Sequence, residues 1–559
     1  MQEHKNLLIA ILACITLWLG VELWLKPTPS VVAPSNEQIC TVPPVTPKCI
    51  PRQEALSTSA RVPIDTPYVQ GSLSLKGAFL DDWTLRTYHE TWESSSPSVH
   101  LLSPGNSEHG YYGTFRWIAP DSGIELPGDD TLWEADGNVL SPKNPVTLSW
   151  RNASGILFQL LFSIDDAYGL TITHKVTHVE GGAPLTLRTQ SVVRRQGPVK
   201  TSGYFMLHEG LLRFSERLEE YGYADVLKKK APAFQNLMGG TKGVGWTGIT
   251  DKYWLVSLIP GEGIATEGGI QSSEVPLRYQ VETVTKPVTV QPGETKSALT
   301  HLFAGPKRLS LLDGYEHRWN INHFDLAVDF GWFYFLTKPM FLLLSWLKDV
   351  GGSFGFAILV MTVFIKMAFF PLSLKSYRSM ARMRKLQPML ESLKSRYPDD
   401  KVKLNQEMMA LYRKEKVNPA SGCLPMLAQF PIFFALYKVL FISIEMRQAP
   451  FWGWIHDLSA PDPTNLFTAF GLFPWATPSW LCLGAWPLIM GGTMILQQRM
   501  NTSMPLDAHQ KFMMMYVMPS VFMFMLAQFP VGLVIYWTWS NVLTVLQQAV
   551  MTRYYSEAI

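Results

Sequence analysis

The stretch FAILVMTVFIKMAFFPLSL, from Phe356 to Leu374, is almost wholly apolar and carries one charge, Lys366. An ammonium inside a membrane helix costs about 2.5–3.5 kcal/mol on insertion scales, so it faces water, a partner or a bundle interior. The chemistry open to it is electrostatic: attracting acidic residues, holding water in a dry layer, or pairing with a buried acid. Gly355, Thr362, Lys366 and Ser373 recur at spacings of seven, four and seven, one small or polar helical stripe. Other apolar segments bring Gln429, Gln528, Thr538, Asn541, Thr544 and Gln547, side chains that commonly hydrogen-bond between membrane helices. No matching acid is evident within the apolar segments: Glu445 lies at the outer end of its segment, away from the depth of Lys366. Snorkelling toward Leu372 over about 9 Å of helix, structural pairing and a hydrated groove are all open readings, and the missing acid favours water.

Motifs for covalent or cofactor chemistry are missing. His208-Glu209 is followed by Gly-Leu-Leu and so is not HExxH, and GGTKGVG from Gly239 to Gly245 lacks the spacing of a phosphate loop. Those glycines fit tight turns. The chain reads as a non-enzyme with no cofactor or metal.

The elements that must position Lys366 follow from hydropathy. Of 559 residues 47% are hydrophobic and 17% charged, and the mean hydropathy is +0.07, too apolar for a soluble enzyme and too polar for an all-membrane transporter. Net charge is only +3, so charge informs through its distribution. An apolar segment from Leu7 to Leu25 reads as an uncleaved anchor within residues 1–26, long enough for a ~30 Å core. A Pro-rich linker, 27–60, holds Cys40 and Cys49, which could close a small loop or stay as free thiols. From 61 to 315, period-two runs such as Leu170-Thr171-Ile172-Thr173 predict an antiparallel β-sandwich. Residues 316–350 form a connector ending in an amphipathic interfacial helix, Trp332 to Val350.

The remainder, 351–559, predicts spans at about 353–372, 422–444, 480–496, 512–529 and 531–550, six in all with the anchor. Between Lys375 and Lys416 there are twelve Lys and Arg against five Asp and Glu, which places that loop in the cytoplasm. Both termini then lie inside and the β domain outside. Within 373–418, Met380, Met383, Leu386, Leu390, Leu393 and Tyr397, then Leu404, Met408, Leu411 and Tyr412, predict a helical hairpin. Its apolar stripes pack on each other, or its methionines offer a soft surface to passing chains. The spans 480–496 and 512–529 come to about 26 and 27 Å, short against a ~30 Å core, which would thin the bilayer locally.

Several stretches resemble the YidC membrane-protein insertase family: Gln406-Glu407-Met408-Met409-Ala410-Leu411-Tyr412, Glu415-Lys416-Val417-Asn418-Pro419, Gln448-Ala449-Pro450-Phe451 and Trp454-Ile455-His456-Asp457-Leu458-Ser459. The likeness continues through Gly532-Leu533, Ser540-Asn541 and Gln547-Gln548, and in the outer domain through Gly248-Ile249-Thr250-Asp251-Lys252-Tyr253-Trp254. The resemblance covers nearly the whole chain and implies the Gram-negative form: an anchor, a periplasmic β-supersandwich and a five-helix core in the bacterial inner membrane. It implies insertion of nascent membrane proteins, alone or with the Sec translocon, and a chaperone's help in their folding; the absent nucleotide motif points to insertion without nucleotide hydrolysis, and no nucleic-acid partner is directly evident.

The same resemblance puts Lys366 at the basic position of a water-filled groove and Thr362, Phe433, Met525, Tyr536 and Trp537 along the client path, with Gln429 a further groove candidate. Met525 stands where relatives carry an aromatic and Trp537 where they often carry Tyr. Trp454 would seat the core at the outer interface, and Asp399 matches a position tied to the signal recognition particle receptor. Ribosome contact would also fall to the hairpin, since the tail ends without a long basic extension. Two other classes stay open, a small-solute transporter or channel and a membrane-anchored carbohydrate-binding protein. The first would show paired ionisable groups or repeated broken helices, and the second a carboxylate pair; neither is found in the sequence.

Overall fold

The computed structural model describes residues 50–559 except 94, 120–122, 182, 204–206, 229–233, 238–242, 332–333, 399, 416, 418–423, 474, 476, 479–480, 501–507 and 558–559. The expected anchor, Cys40, Cys49 and Asp399 lie outside the described residues. The chain divides into two compact units, the first ending at Asp329 and the second beginning at Phe330.

In the first unit, alternation becomes strand. Leu157–Ile164 and Gly169–Thr177 pair antiparallel, with Leu170 and Ile172 buried and Thr171 and Thr173 only partly so. The strands form one sheet of ten and one of nine. Inward aromatics join the two: Phe115 of the larger sheet meets Phe162 of the smaller edge-on at 5.7 Å, and the Trp83 indole donates to the Ala304 carbonyl at 2.9 Å. The unit runs past residue 315. Helix Leu309–Arg318 and the turn Phe324–Ala327 pack Tyr315 and Phe324 on Phe303, at 5.2 and 5.6 Å between ring centroids.

The second unit is helical. Helix α1, Tyr334–Gly351, buries Thr337, Met340, Phe341, Leu344 and Leu347 and exposes Phe335, Leu342, Trp346 and Val350, so it is apolar on two faces. Gly352, at φ +78°, ends it in a conformation that favours glycine. Ser353 then caps α2, Phe354–Ala368, by accepting from the Phe356 amide at 3.2 Å. Helix α2 stops well short of the expected end at Leu372, and α3, Phe370–Arg396, leaves it at 60°. Pro371 is the cause: it has no N–H for the Met367 carbonyl, and its ring would crowd that carbonyl. Ser373 therefore belongs to α3 and is off the stripe of Thr362 and Lys366, and Lys366 stands in the last turn of α2.

Helix α4, Lys401–Lys414, is capped by Asp400, whose side chain accepts from the Lys403 amide at 2.9 Å. Its Tyr412, with Val417 beyond it, packs on Met383, Leu386 and Leu390 of α3, with Met408 and Leu411 alongside. The hairpin stripes thus meet each other. Helix α5 spans Leu424–Ile442 and α6 spans Ala485–Met500. The segment expected from residue 480 begins its helix only at Ala485, where Pro487 is tolerated in the first turn. A helical stretch from Ala508 passes through a π turn, Met513–Val517, into α7, Met518–Leu526. Helix α8, Val531–Glu557, runs beyond the expected residue 550. Among the described residues no single helix is long and apolar enough to cross a membrane, while α2 and α3 pass that test together as a bent pair.

The β unit carries a pH liability. His174 is 1% exposed and stands edge-on to Trp117 at 5.2 Å, and burial pushes its pKa down to about 3. Below pH 6.5 the unfolded chain takes up a proton that the folded one refuses, so stability falls with pH, by roughly 2 kcal/mol at pH 5 from this group. His301, stacked on Trp319 and held down to about 4 by burial, adds to the same window. Thermal unfolding of the full chain, followed through its β-sheet dichroism, should drop between pH 7.5 and pH 5. His174→Phe should flatten that dependence.

Candidate functional site

Lys366 is brought to two other helices by side chains that the sequence scatters over 178 positions. Its Nζ donates to the Thr544 hydroxyl of α8 at 2.8 Å and to Gln429 Oε1 of α5 at 3.4 Å. The Gln429 amide nitrogen donates in turn to the Ser540 hydroxyl at 2.8 Å and the Tyr536 hydroxyl at 3.3 Å. Thr544 spends its own proton on the Ser540 carbonyl one turn back, at 2.7 Å, which leaves its oxygen free to accept. Among the described residues no carboxylate pairs with Lys366. The site is a cation held by neutral oxygens, half-buried where α2, α5 and α8 meet.

The other expected residues divide around this site. Thr362 is fully buried and donates to the Ile358 carbonyl of its own helix at 2.6 Å, so its hydroxyl is satisfied locally. Tyr536 is buried within the polar group, whereas its neighbour Trp537 turns to an apolar cluster. There Phe433 lies edge-on to Trp537 at 4.7 Å and Phe522 packs at 5.8 Å, over Met490, Leu526 and Val534. Met525 is 37% exposed on α7 and belongs to neither group.

Trp454 is tied into a loop network. Its indole donates to Asp462 Oδ1 at 3.0 Å, and Asp462 also accepts from the Thr464 hydroxyl at 2.7 Å and amide at 3.0 Å. Asp462 Oδ2 takes the Trp486 amide at 2.8 Å and Thr464 Oγ1 the Ala485 amide at 2.9 Å, so two loop residues satisfy the first amides of α6. Close approach demands Gly484, because a Cβ there would lie 2.5 Å from that of Asp462.

Sequence reading missed Asp462 and Thr464, although Asp-Pro-Thr-Asn is a turn signal of the kind that bonds nearby amides. It also passed over Lys438, 7% exposed in α5, a second cation in an apolar run. Replacing Asp462 by Ala should leave the Trp454 indole and the Trp486 amide without their acceptor. At about 1–3 kcal/mol for a buried unsatisfied group, thermal unfolding in detergent should fall by several degrees, and Asp462→Asn should lose less.

Residues 61–343 match the family described as YidC periplasmic domain, and residues 346–558 match 60Kd inner membrane protein. The membrane protein insertase YidC of Granulibacter bethesdensis is 49% identical over 88% of this chain and 86% of its own. That of Bradyrhizobium diazoefficiens is 46% identical over 90% and 83%. A solved structure of an active YidC insertase, with its first transmembrane domain resolved, is 18% identical over 88% of this chain and 92% of that one, at a TM-score of 0.37. Identity of this extent across both units makes the chain a member of the YidC membrane protein insertase family.

Proposed function

We propose that this chain moves transmembrane segments of client proteins from the cytoplasm into the lipid of the inner membrane, through a groove whose polar wall is the Lys366 site. The observation that carries the reading is an ammonium solvated by Thr544 and Gln429 and by no acid among the described residues. An unneutralised positive charge attracts acidic client residues and, with four polar neighbours, favours water in a layer that is otherwise apolar. A client's polar segment then crosses part of the bilayer without full desolvation. Its apolar segment passes Thr362, Phe433, Met525, Tyr536 and Trp537 and partitions into lipid. Burial of apolar surface, at ~25 cal/mol per Å², supplies the drive, so no nucleotide is required.

The arrangement we infer has an anchor at 1–26, a linker at 27–60, a periplasmic β-supersandwich, an interfacial helix ending near 350 and a five-span core, with both termini in the cytoplasm. The Lys- and Arg-rich hairpin supports that orientation. In the same reading the short α6 thins the bilayer beside the groove, which lowers the distance over which polar residues must be carried. Trp454 and its Asp462 partner hold the periplasmic end of α6, while the hairpin, including Asp399, receives the signal recognition particle receptor or the ribosome. The Sec translocon joins for larger clients. Cys40 and Cys49, in the oxidising compartment, are a candidate disulfide pair.

The test is depletion of the native protein and complementation with Lys366 variants, following insertion of a small client with an acidic tail. Lys366→Ala and Lys366→Glu should slow insertion by about tenfold, the worth of one charge-assisted hydrogen bond, and Lys366→Arg should restore it. Wild-type rates in all three variants would remove the attraction.

A further inference from the structure

Three elements meet at the end of α6. Met500 is its last residue, and the carbonyls of a last turn lack partners within their own helix. Two side chains supply donors: Arg384 Nη2 of α3 at 2.9 Å and Gln548 Nε2 of α8 at 2.9 Å, both to the Met500 carbonyl. Gln548 is 3% exposed and Arg384 half-buried, so this is an interior contact. A guanidinium suits the place twice, through its fixed donors and through its charge at the negative end of a helix dipole.

The residues around Arg384 look elsewhere. Met383 and Leu386 pack within the hairpin against Tyr412, so Arg384 is a point where the hairpin grips the spans. Helix α3 has no loop to absorb movement at its other end, because it follows α2 across the single residue Phe369, three positions after Lys366. From Phe370 to Arg384 is about 21 Å of helix, a lever whose far end is pinned at Met500 and whose near end is the last turn of α2. A change of angle at the pin therefore reaches the turn that carries Lys366.

We propose that Arg384 is a positioning residue, whose bond to Met500 sets the angle of the hairpin and, through α3, the place of Lys366 among Gln429 and Thr544. Its consequence for insertion rests on the groove reading given above. Loss of the bond lets the hairpin sample several angles and lowers the fraction of molecules with a competent groove. A charged donor on a helix-terminal carbonyl biases such an equilibrium by about tenfold.

The experiment uses the full chain in lipid nanodiscs, with native cysteines replaced and spin labels at Met409→Cys on the hairpin and Leu496→Cys on α6, two exposed positions. In the otherwise unaltered chain the inter-label distance should be narrowly distributed. Arg384→Ala should broaden it and slow client insertion by about tenfold, and Arg384→Lys, which keeps a cationic donor, should recover much of both. An unchanged distribution in a folded Arg384→Ala chain would overturn the proposal, as would a broadened one with wild-type insertion. Lys366→Ala runs beside them: if it inserts normally the groove reading fails, and the label distances still decide whether Arg384 pins the hairpin.

Discussion

A cation in an apolar layer must be solvated by something, and here the solvating atoms come from two helices other than its own. The Gln429 amide is the hinge of the arrangement, because its oxygen accepts from Lys366 while its nitrogen donates to Ser540 and Tyr536. With a donor fixed on one side and acceptors on the other, the amide has one useful orientation. Thr544 is oriented in the same manner by the Ser540 carbonyl. Rotation of α5 or α8 by one residue would carry its acceptor about 100° away and strip the ammonium of one of its two partners. The packing of α2, α5 and α8 and the chemistry of Lys366 are thus one constraint.

Helix α8 separates that polar site from its apolar neighbour. Tyr536 and Trp537 are adjacent in sequence and diverge in space, the first joining Gln429 and the second joining Phe433 and Phe522. A client passing between polar groove and lipid would meet both surfaces of one helix. On the apolar side the Trp537 ring stands edge-on to Phe433 at 4.7 Å. The polar side is made of the Lys366 ammonium, one amide and three hydroxyls.

Much of this was legible in the sequence because it is local. A lysine in an apolar run announces itself, and so do the period-two strands around Leu170 and Ile172 and the stripes of Met383, Leu386 and Leu390. The break after Ala368 was less so. Its signal, Pro371, was present, but the apolar run continues through it and hydropathy alone does not see a missing N–H. Contacts between distant positions were not legible at all. Nothing in the neighbourhood of Asp462 says that it will take the amide of Trp486, and nothing near Arg384 points to Met500. Such pairings are set by how helices pack, which periodicity does not encode.

If the Lys366 site is wet and open to the cytoplasm, a thiol placed against its ammonium reacts readily with an aqueous reagent, since the thiolate that reacts forms only in contact with water. In full-length chains stripped of native cysteines, Thr544→Cys beside the retained Lys366, Leu546→Cys on an exposed apolar face of the same helix, and Val402→Cys on the hairpin are treated with a membrane-impermeant thiol reagent from the cytoplasmic side. Position 544 should react far faster than 546 and approach 402. Reaction at 544 no faster than at 546 would contradict a wet, cytoplasm-facing site.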